Sequence, residues 1–295
     1  MQAKERAYQW FINAVMALLA CMCILPFILL VSSSITSQSM IIANGYSFLP
    51  REISFEAYAY IWNDAERIFN AYGVTILVTV LGTVLSLAVT SLLAYPLSRK
   101  DMPHRNFLAF FIFFTMLFNG GLVPVYLLYT QFFEFKNTVW ALIFPMLLTN
   151  AFYVMIMRTF FQTTIPVEVI ESGKMDGAGE LKIFYKIVLP LSLPILATIG
   201  LFQTINYWND WFNGLIFLTD SRLYSIQNLL NRILLDVQYL SSMDFGTAQD
   251  DLMAGLPTET IRLAIAVIGV IPIIAIYPFF QRFFVKGLTV GAVKG

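Results

Sequence analysis

The chain has 295 residues, 58% of them hydrophobic and only 12% charged, and its eighteen Lys and Arg are balanced by eighteen Asp and Glu. Soluble domains average about a quarter charged residues, and several apolar runs of about twenty residues are needed to cross a bilayer but not to fill a soluble core. The composition excludes an ordinary soluble domain and predicts an all-α, polytopic membrane protein, with membrane lipid and not nucleic acid as its surroundings.

Six transmembrane helices are expected, at Phe11–Val31, Val74–Leu97, Phe107–Leu128, Val139–Met157, Leu189–Ile205 and Leu263–Phe280. The first follows Lys4 and Arg6 and precedes Ser32-Ser33-Ser34, flanks that resemble a secretory signal. Its apolar run exceeds the ~7–15 residues of a signal core, so a retained anchor is expected. Residues 1–70 then form the first span with an outer segment, and residues 71–295 the main transmembrane domain. With the N-terminus in the cytoplasm, twelve of the eighteen basic residues lie inside, in short loops around Arg99-Lys100, Arg105, Arg158 and Lys174–Lys186 and at the two termini. Basic residues collect on the cytoplasmic side of short loops. Both termini and the loop 158–188 are therefore expected inside, and the segment 219–260 outside.

Cys21 and Cys23 share the first span, and C-x-C spacing on a helix points two thiols to different faces. Buried apolar packing is expected for them, without a disulfide or metal. The single histidine, His104, sits on a polar turn without partner ligands. No Ser-His pair, carboxylate dyad or metal cluster is present inside the spans, so no catalytic or metal-binding residue is assigned.

Polar side chains within spans are costly and face a bundle interior or a water-filled path. The candidates are Asn119 beside Gly120-Gly121, Asn150 with Tyr153, and the stretch from Gln203 to Trp211, with Asn206, Trp208, Asn209 and Trp211 foremost. Hydrogen-bonding groups beside flat aromatic rings suit sugars, whose hydroxyls need polar partners and whose C–H faces pack on rings. For Trp208 and Trp211 the competing reading is the aromatic belt at the membrane boundary. Belts do not require asparagine, so Asn150 and Asn206 are the better pathway candidates. Pro124, Pro145 and Pro272 interrupt apolar runs and permit kinks. Outside, Ile226, Leu229, Leu230, Ile233, Leu234 and Val237 recur at helical spacing, for packing within the outer segment or for a solute-delivering partner.

Between the fourth and fifth runs lies a polar island, Pro166 to Pro194. Pro166 suits a helix start and Glu168 its positive end. Gly177 and Gly179 suit its termination. A second short helix is expected from Glu180 to Val188, stopped by Pro190. Two short helices joined by a glycine turn suggest a docking element.

Glu171-Ser172-Gly173, Asp176-Gly177-Ala178 and Ile187-Val188-Leu189-Pro190 resemble the EAA loop of ABC importer permeases. Ser172 and Gly173 stand where that pattern has alanines, both still small. The terminal Lys286–Gly295 resembles the end of maltose-type carbohydrate permeases, and Asn119–Pro124 resembles the permeases of oligosaccharide and aldouronate uptake. The resemblance implies a type I ABC importer permease fold with cytoplasmic coupling helices, in a bacterial cytoplasmic membrane. It implies as partners a cytoplasmic ABC ATPase dimer, a second permease subunit and an extracytoplasmic solute-binding protein. It assigns ATPase coupling to Glu171, Ser172, Gly173, Asp176, Gly177, Ala178, Ile187, Leu189 and Pro190.

No P-loop is encoded. The only Gly-Lys pair, Gly173-Lys174, is followed by Met175, and Glu168 stands where the first glycine belongs. ATP and Mg are therefore expected on partner ATPase subunits and no cofactor in this chain. An ion-coupled secondary transporter is the alternative. It usually needs ionisable groups inside the spans, and the centres of these six runs carry none; Asp210, at an edge, is the residue that would serve it.

Overall fold

A computed structural model describes residues 2–63, 65–242 and 258–292. Among them the chain is helical, with one isolated antiparallel bridge between Thr36 and Ile53 and no strands. It forms two compact units, Met1–Glu66 with Leu230–Pro272 and Arg67–Leu229 with Ile273–Gly295.

The first unit opens with α1 (Gln2–Ser34), apolar on every side and exposed for most of its length. An all-apolar helix surface is at home in lipid or against another apolar helix. Cys21 and Cys23 are exposed on it, not buried as expected. At its end Ser32, Ser33 and Ser34 are buried. The Ser32 hydroxyl donates to the Ser47 carbonyl at 2.9 Å, and Ser34 and Tyr58 share a 2.8 Å hydrogen bond. Two short helices follow, α2 (Gln38–Asn44) and α3 (Glu56–Trp62).

The second unit is built around α4 (Ala65–Ser98), whose buried face carries Thr75, Thr79, Thr83, Ser86 and Thr90 at helical spacing. Each repeats three or four residues after the last, so they form one stripe. Small hydroxyl residues let a neighbouring backbone approach closely. At Gly82 that approach is tight: a β-carbon would lie 2.5 Å from the Tyr207 ring.

The third expected span is α5 (Arg105–Leu117) and α6 (Leu122–Leu127) with a π-helical turn to Phe132, bent by 113° where Asn119 and Gly121 intervene. Gly121 has φ +86°, a left-handed conformation that glycine adopts freely. The fourth expected run, Val139–Met157, is not one continuous helix. It is α7 (Trp140–Ile143), an irregular stretch through Pro145, and α8 (Ala151–Thr164). Proline supplies no N–H at that point, and Asn150 restarts the helix by accepting from the Phe152 N–H at 2.9 Å.

The loop helices are α9 (Val167–Met175) and α10 (Glu180–Ile183), with a π-helical turn Phe184–Val188 and α11 (Leu189–Leu191). Pro190 does not end this segment, as expected, but sits within α11. It stands in the first turn of α11, where an intrahelical partner for its N–H is not required. The chain then bends by 81° at Ser192 into α12 (Leu193–Trp208), which starts four residues later than the predicted fifth span. Next come α13 (Phe212–Phe217) and α14 (Ile226–Ser242). The last helix is α15 (Thr258–Ala292), which contains Pro272. Among the described residues, three helices are long and apolar enough to cross a membrane, or up to five if each bent pair counts as one span, against the six expected.

Candidate functional site

The turn between α9 and α10 follows from its glycine. Gly177 has φ +75°; the Ala178 N–H donates to the Gly173 carbonyl and the Gly177 N–H to the Lys174 carbonyl, each at 3.0 Å. This nested pair, with a left-handed residue just past the helix, is the Schellman termination. Glu180 then begins α10. A basic residue in the last turn of α9, Lys174, and an acidic one at the start of α10 match the partial charges of the two helix ends.

Lys174 Nζ lies 2.7 Å from Glu180 Oε1 and 3.0 Å from Asp101 Oδ2. Asp101 is held by Arg99, whose Nε and Nη2 donate at 3.1 and 3.0 Å. The Tyr95 hydroxyl donates to Glu180 Oε2 at 2.6 Å. The loop is thus fastened to the C-terminal end of α4 by a chain of five polar side chains. The Arg99 guanidinium first, and Lys174 second, hold the Asp101 carboxyl well below the usual range. Lys174 and then Tyr95 lower that of Glu180. Lys174 itself is raised by its hydrogen bonds to Glu180 and Asp101.

Beneath this network the loop docks through apolar side chains. Ile170, Ile183, Phe184 and Val188 are buried in one cluster with Leu97 of α4 and Met157 and Phe161 of α8. Of the sequence-selected residues, Ala178, Ile187 and Leu189 are half-buried against this cluster, and Gly173 is buried. A β-carbon at Gly173 would meet Ile187 Cδ1 at 3.0 Å. Glu171, Ser172, Asp176, Gly177 and Pro190 are exposed. The loop thus carries an exposed set of residues interleaved with a packed one.

The polar candidates divide differently. The Asn206 side-chain amide donates to the Tyr153 hydroxyl and to Gln203 Oε1, both at 3.2 Å, and Tyr153 stacks on Phe202 at 6.1 Å. Gln203 is 1% exposed and donates to the Ser86 hydroxyl and, at 3.1 Å, to the Leu147 carbonyl. Thr83 and Thr204 lie 3.4 Å apart at the same crossing of α4 and α12. Asn119 and Asn150 stay exposed and accept from nearby backbone N–H groups. Trp208 is buried beside Tyr72, whereas Asn209 and Trp211 are exposed past the end of α12. Tyr153 and Asn206 are therefore joined directly by a hydrogen bond. Ser86 and Thr83 were missed, although the hydroxyl stripe on α4 was visible at helical spacing.

The family described as binding-protein-dependent transport system inner membrane component matches residues 102–290. The chain belongs to this family and is a permease subunit of the ABC importer type. It is 38% identical over 292 residues to the polygalacturonan/rhamnogalacturonan transport system permease protein YtcP of Bacillus subtilis (strain 168), covering 99% of this chain and all of that one. It is 27% identical over 293 residues to the arabinooligosaccharides transport system permease protein AraQ of Halalkalibacterium halodurans, covering 97% and 96%. A chain in the crystal structure of a bacterial ABC transporter that imports the acidic polysaccharide alginate is 30% identical, with a TM-score of 0.78 over 95% of this chain and 98% of that one. The fold is that of a type I importer permease.

Proposed function

We propose that this chain is one permease subunit of an ATP-driven, binding-protein-dependent importer of oligosaccharides. The Glu171–Pro190 loop carries the proposal: its exposed Glu171, Ser172, Asp176 and Gly177 are free to enter a partner, while its buried face is fixed to α4 and α8. A cytoplasmic ATPase dimer binds ATP and Mg and moves this loop as it closes. A second, non-identical permease subunit completes the pathway, and an extracytoplasmic binding protein delivers the solute. Six spans with both termini inside meet these needs, the fourth being the broken α7–α8 segment. Oligosaccharide as solute is supported by the substrates named for the relatives and by Asn206 and Tyr153, a hydrogen-bonding pair with Phe202 as an aromatic wall.

The test is purification from the native membrane in mild detergent, followed by mass spectrometry of whatever accompanies the chain. An ABC ATPase and a second permease are expected, both lost when Glu171 and Gly177 are replaced. A chain that arrives alone, with ion-driven uptake in vesicles, contradicts the proposal.

A further inference from the structure

A cavity of about 490 Å³ opens where α4 ends, between the start of α5, the last turn of α8 and the first turn of α9. Four cationic residues line it, Arg99, Lys100, Arg105 and Arg158, against two anionic ones, Asp101 and Glu171. Arg99 is neutralised by Asp101. Arg105 gives one N–H to the Arg99 carbonyl at 3.4 Å, and Arg158 gives its Nε–H to the Leu97 carbonyl at 3.0 Å. Each guanidinium carries five N–H donors in a planar fork that suits phosphate oxygens. Neither lies within ion-pair distance of a carboxylate among the described residues, and Lys100 is exposed without one. The cavity has an excess of cations whose donors are largely unused.

Its position selects the ligand. Leu97 and Ser98 end the long apolar helix α4, and Arg105 begins the apolar α5. Phe161 and Ile170 add an apolar floor. A cationic rim over an apolar floor, at the ends of two apolar helices that the proposed orientation places in the cytoplasm, meets the phosphate and glycerol of an acidic lipid where headgroup passes into hydrocarbon. We propose that this cavity binds a phosphate monoanion of phosphatidylglycerol type and thereby links the lipid to the first coupling helix, which contributes Glu171 and Ile170 to its wall. The proposal rests on the chain spanning a membrane, and it fails separately from the transport reading, since ATP-driven uptake in purely zwitterionic lipid leaves that reading intact.

The test is native mass spectrometry of the complete detergent-purified transporter, offered equal amounts of phosphatidylglycerol and phosphatidylcholine. Preferential retention of phosphatidylglycerol is expected. Lys100→Gln and Arg105→Gln should each reduce that preference by about fivefold, the effect of one basic residue at an acidic membrane surface. Lys186→Gln, which removes an exposed cation outside the cavity, should leave it unchanged. Displacement of the lipid by millimolar glycerol phosphate would identify the phosphate as the group recognised and a soluble phosphate as a competing source. Resistance to glycerol phosphate, with both variants still weakened, would identify the intact lipid. Equal retention of the two lipids, or a preference that both variants keep, overturns the proposal. So does a preference that emerges only after the ATPase subunits are stripped, because the cavity then belongs to an acidic segment of the ATPase.

Discussion

Lys174 Nζ lies 2.7 Å from Glu180 Oε1, which joins the last turn of α9 to the first residue of α10 across the Gly177 turn. The same ammonium reaches Asp101 at 3.0 Å, so one side chain fixes both the internal angle of the loop and its attachment to the end of α4. Under the proposed coupling role, slack at either joint would dissipate the movement passed to the membrane bundle.

Replacing Lys174 by Met removes both joints while keeping an unbranched apolar stem. Exposed ion pairs contribute little to stability, so the melting temperature of the purified complex should hardly move. Solute transported per ATP hydrolysed should fall severalfold. Unchanged stoichiometry would show that the apolar docking of Ile183 and Phe184 alone holds the loop.

The same ion network sets a pH window. The folded carboxyls of Glu180 and Asp101 titrate below their ordinary values, by the pairing with Lys174 and Arg99 respectively. Depressed carboxyl values stabilise the fold above the unfolded-state pKa of about 4 and lose that contribution as pH falls through the folded values. The Glu180 carboxyl should titrate lower in wild type than in Lys174→Met, and the small melting temperature difference between them should be constant from about pH 5 to 8 and shrink progressively below about pH 4, as the folded carboxyls titrate. A difference that grows on acidification would contradict the pairing.

Glycine substitutions separate conformation from space. Gly177→Ala places a β-carbon at φ +75°, at a cost of about 1–2 kcal/mol. Gly173→Ala presses on the tip of Ile187, which can shift by tenths of an ångström, and meets Ile183 only at ordinary contact distance, so it should be tolerated. Gly173→Leu should overpack the joint by about 1–3 kcal/mol. Thermal unfolding of the three variants checks the order.

How much of this was legible before the structure depends on how local each signal is. The loop was readable because Pro166 and Gly177 act on the backbone beside them, and the Glu168 and Glu180 placements follow from helix-end polarity. Gly179, expected to help end α9, does not do so but stands extended at φ −68° as the N-cap of α10. Tyr95 was not readable as a partner of Glu180: eighty-five positions separate them and only the fold unites them. The bends were half legible. Pro145 marked a weak point, whereas the bend at Gly121 was not read; whether a proline breaks a helix depends on which neighbours take up the freed carbonyls, as Pro96 within α4 and Pro272 within α15 make plain. The division of the polar candidates also lay beyond pattern, because Gln203 and Asn206 are three residues apart on one helix and differ only in what each meets.

That difference is measurable. Gln203→Leu strands the Ser86 hydroxyl and the Leu147 carbonyl, and should cost about 1–3 kcal/mol of stability through unsatisfied buried groups. Asn206→Ala, in a half-buried site, should leave the fold largely intact and lower uptake of oligosaccharide instead. Equal losses of stability in both variants would make the whole cluster a packing element.

The most direct measurement is solute accumulation in proteoliposomes holding the complete complex, with ATP supplied on the ATPase side and no ion gradient. Oligosaccharide should accumulate only with ATP and with its binding protein on the opposite side. Glu171→Lys should abolish accumulation while the chain still inserts. Accumulation driven by a proton or sodium gradient without ATP, or unaffected by Glu171→Lys, would contradict the assignment of this chain as an ATPase-coupled permease.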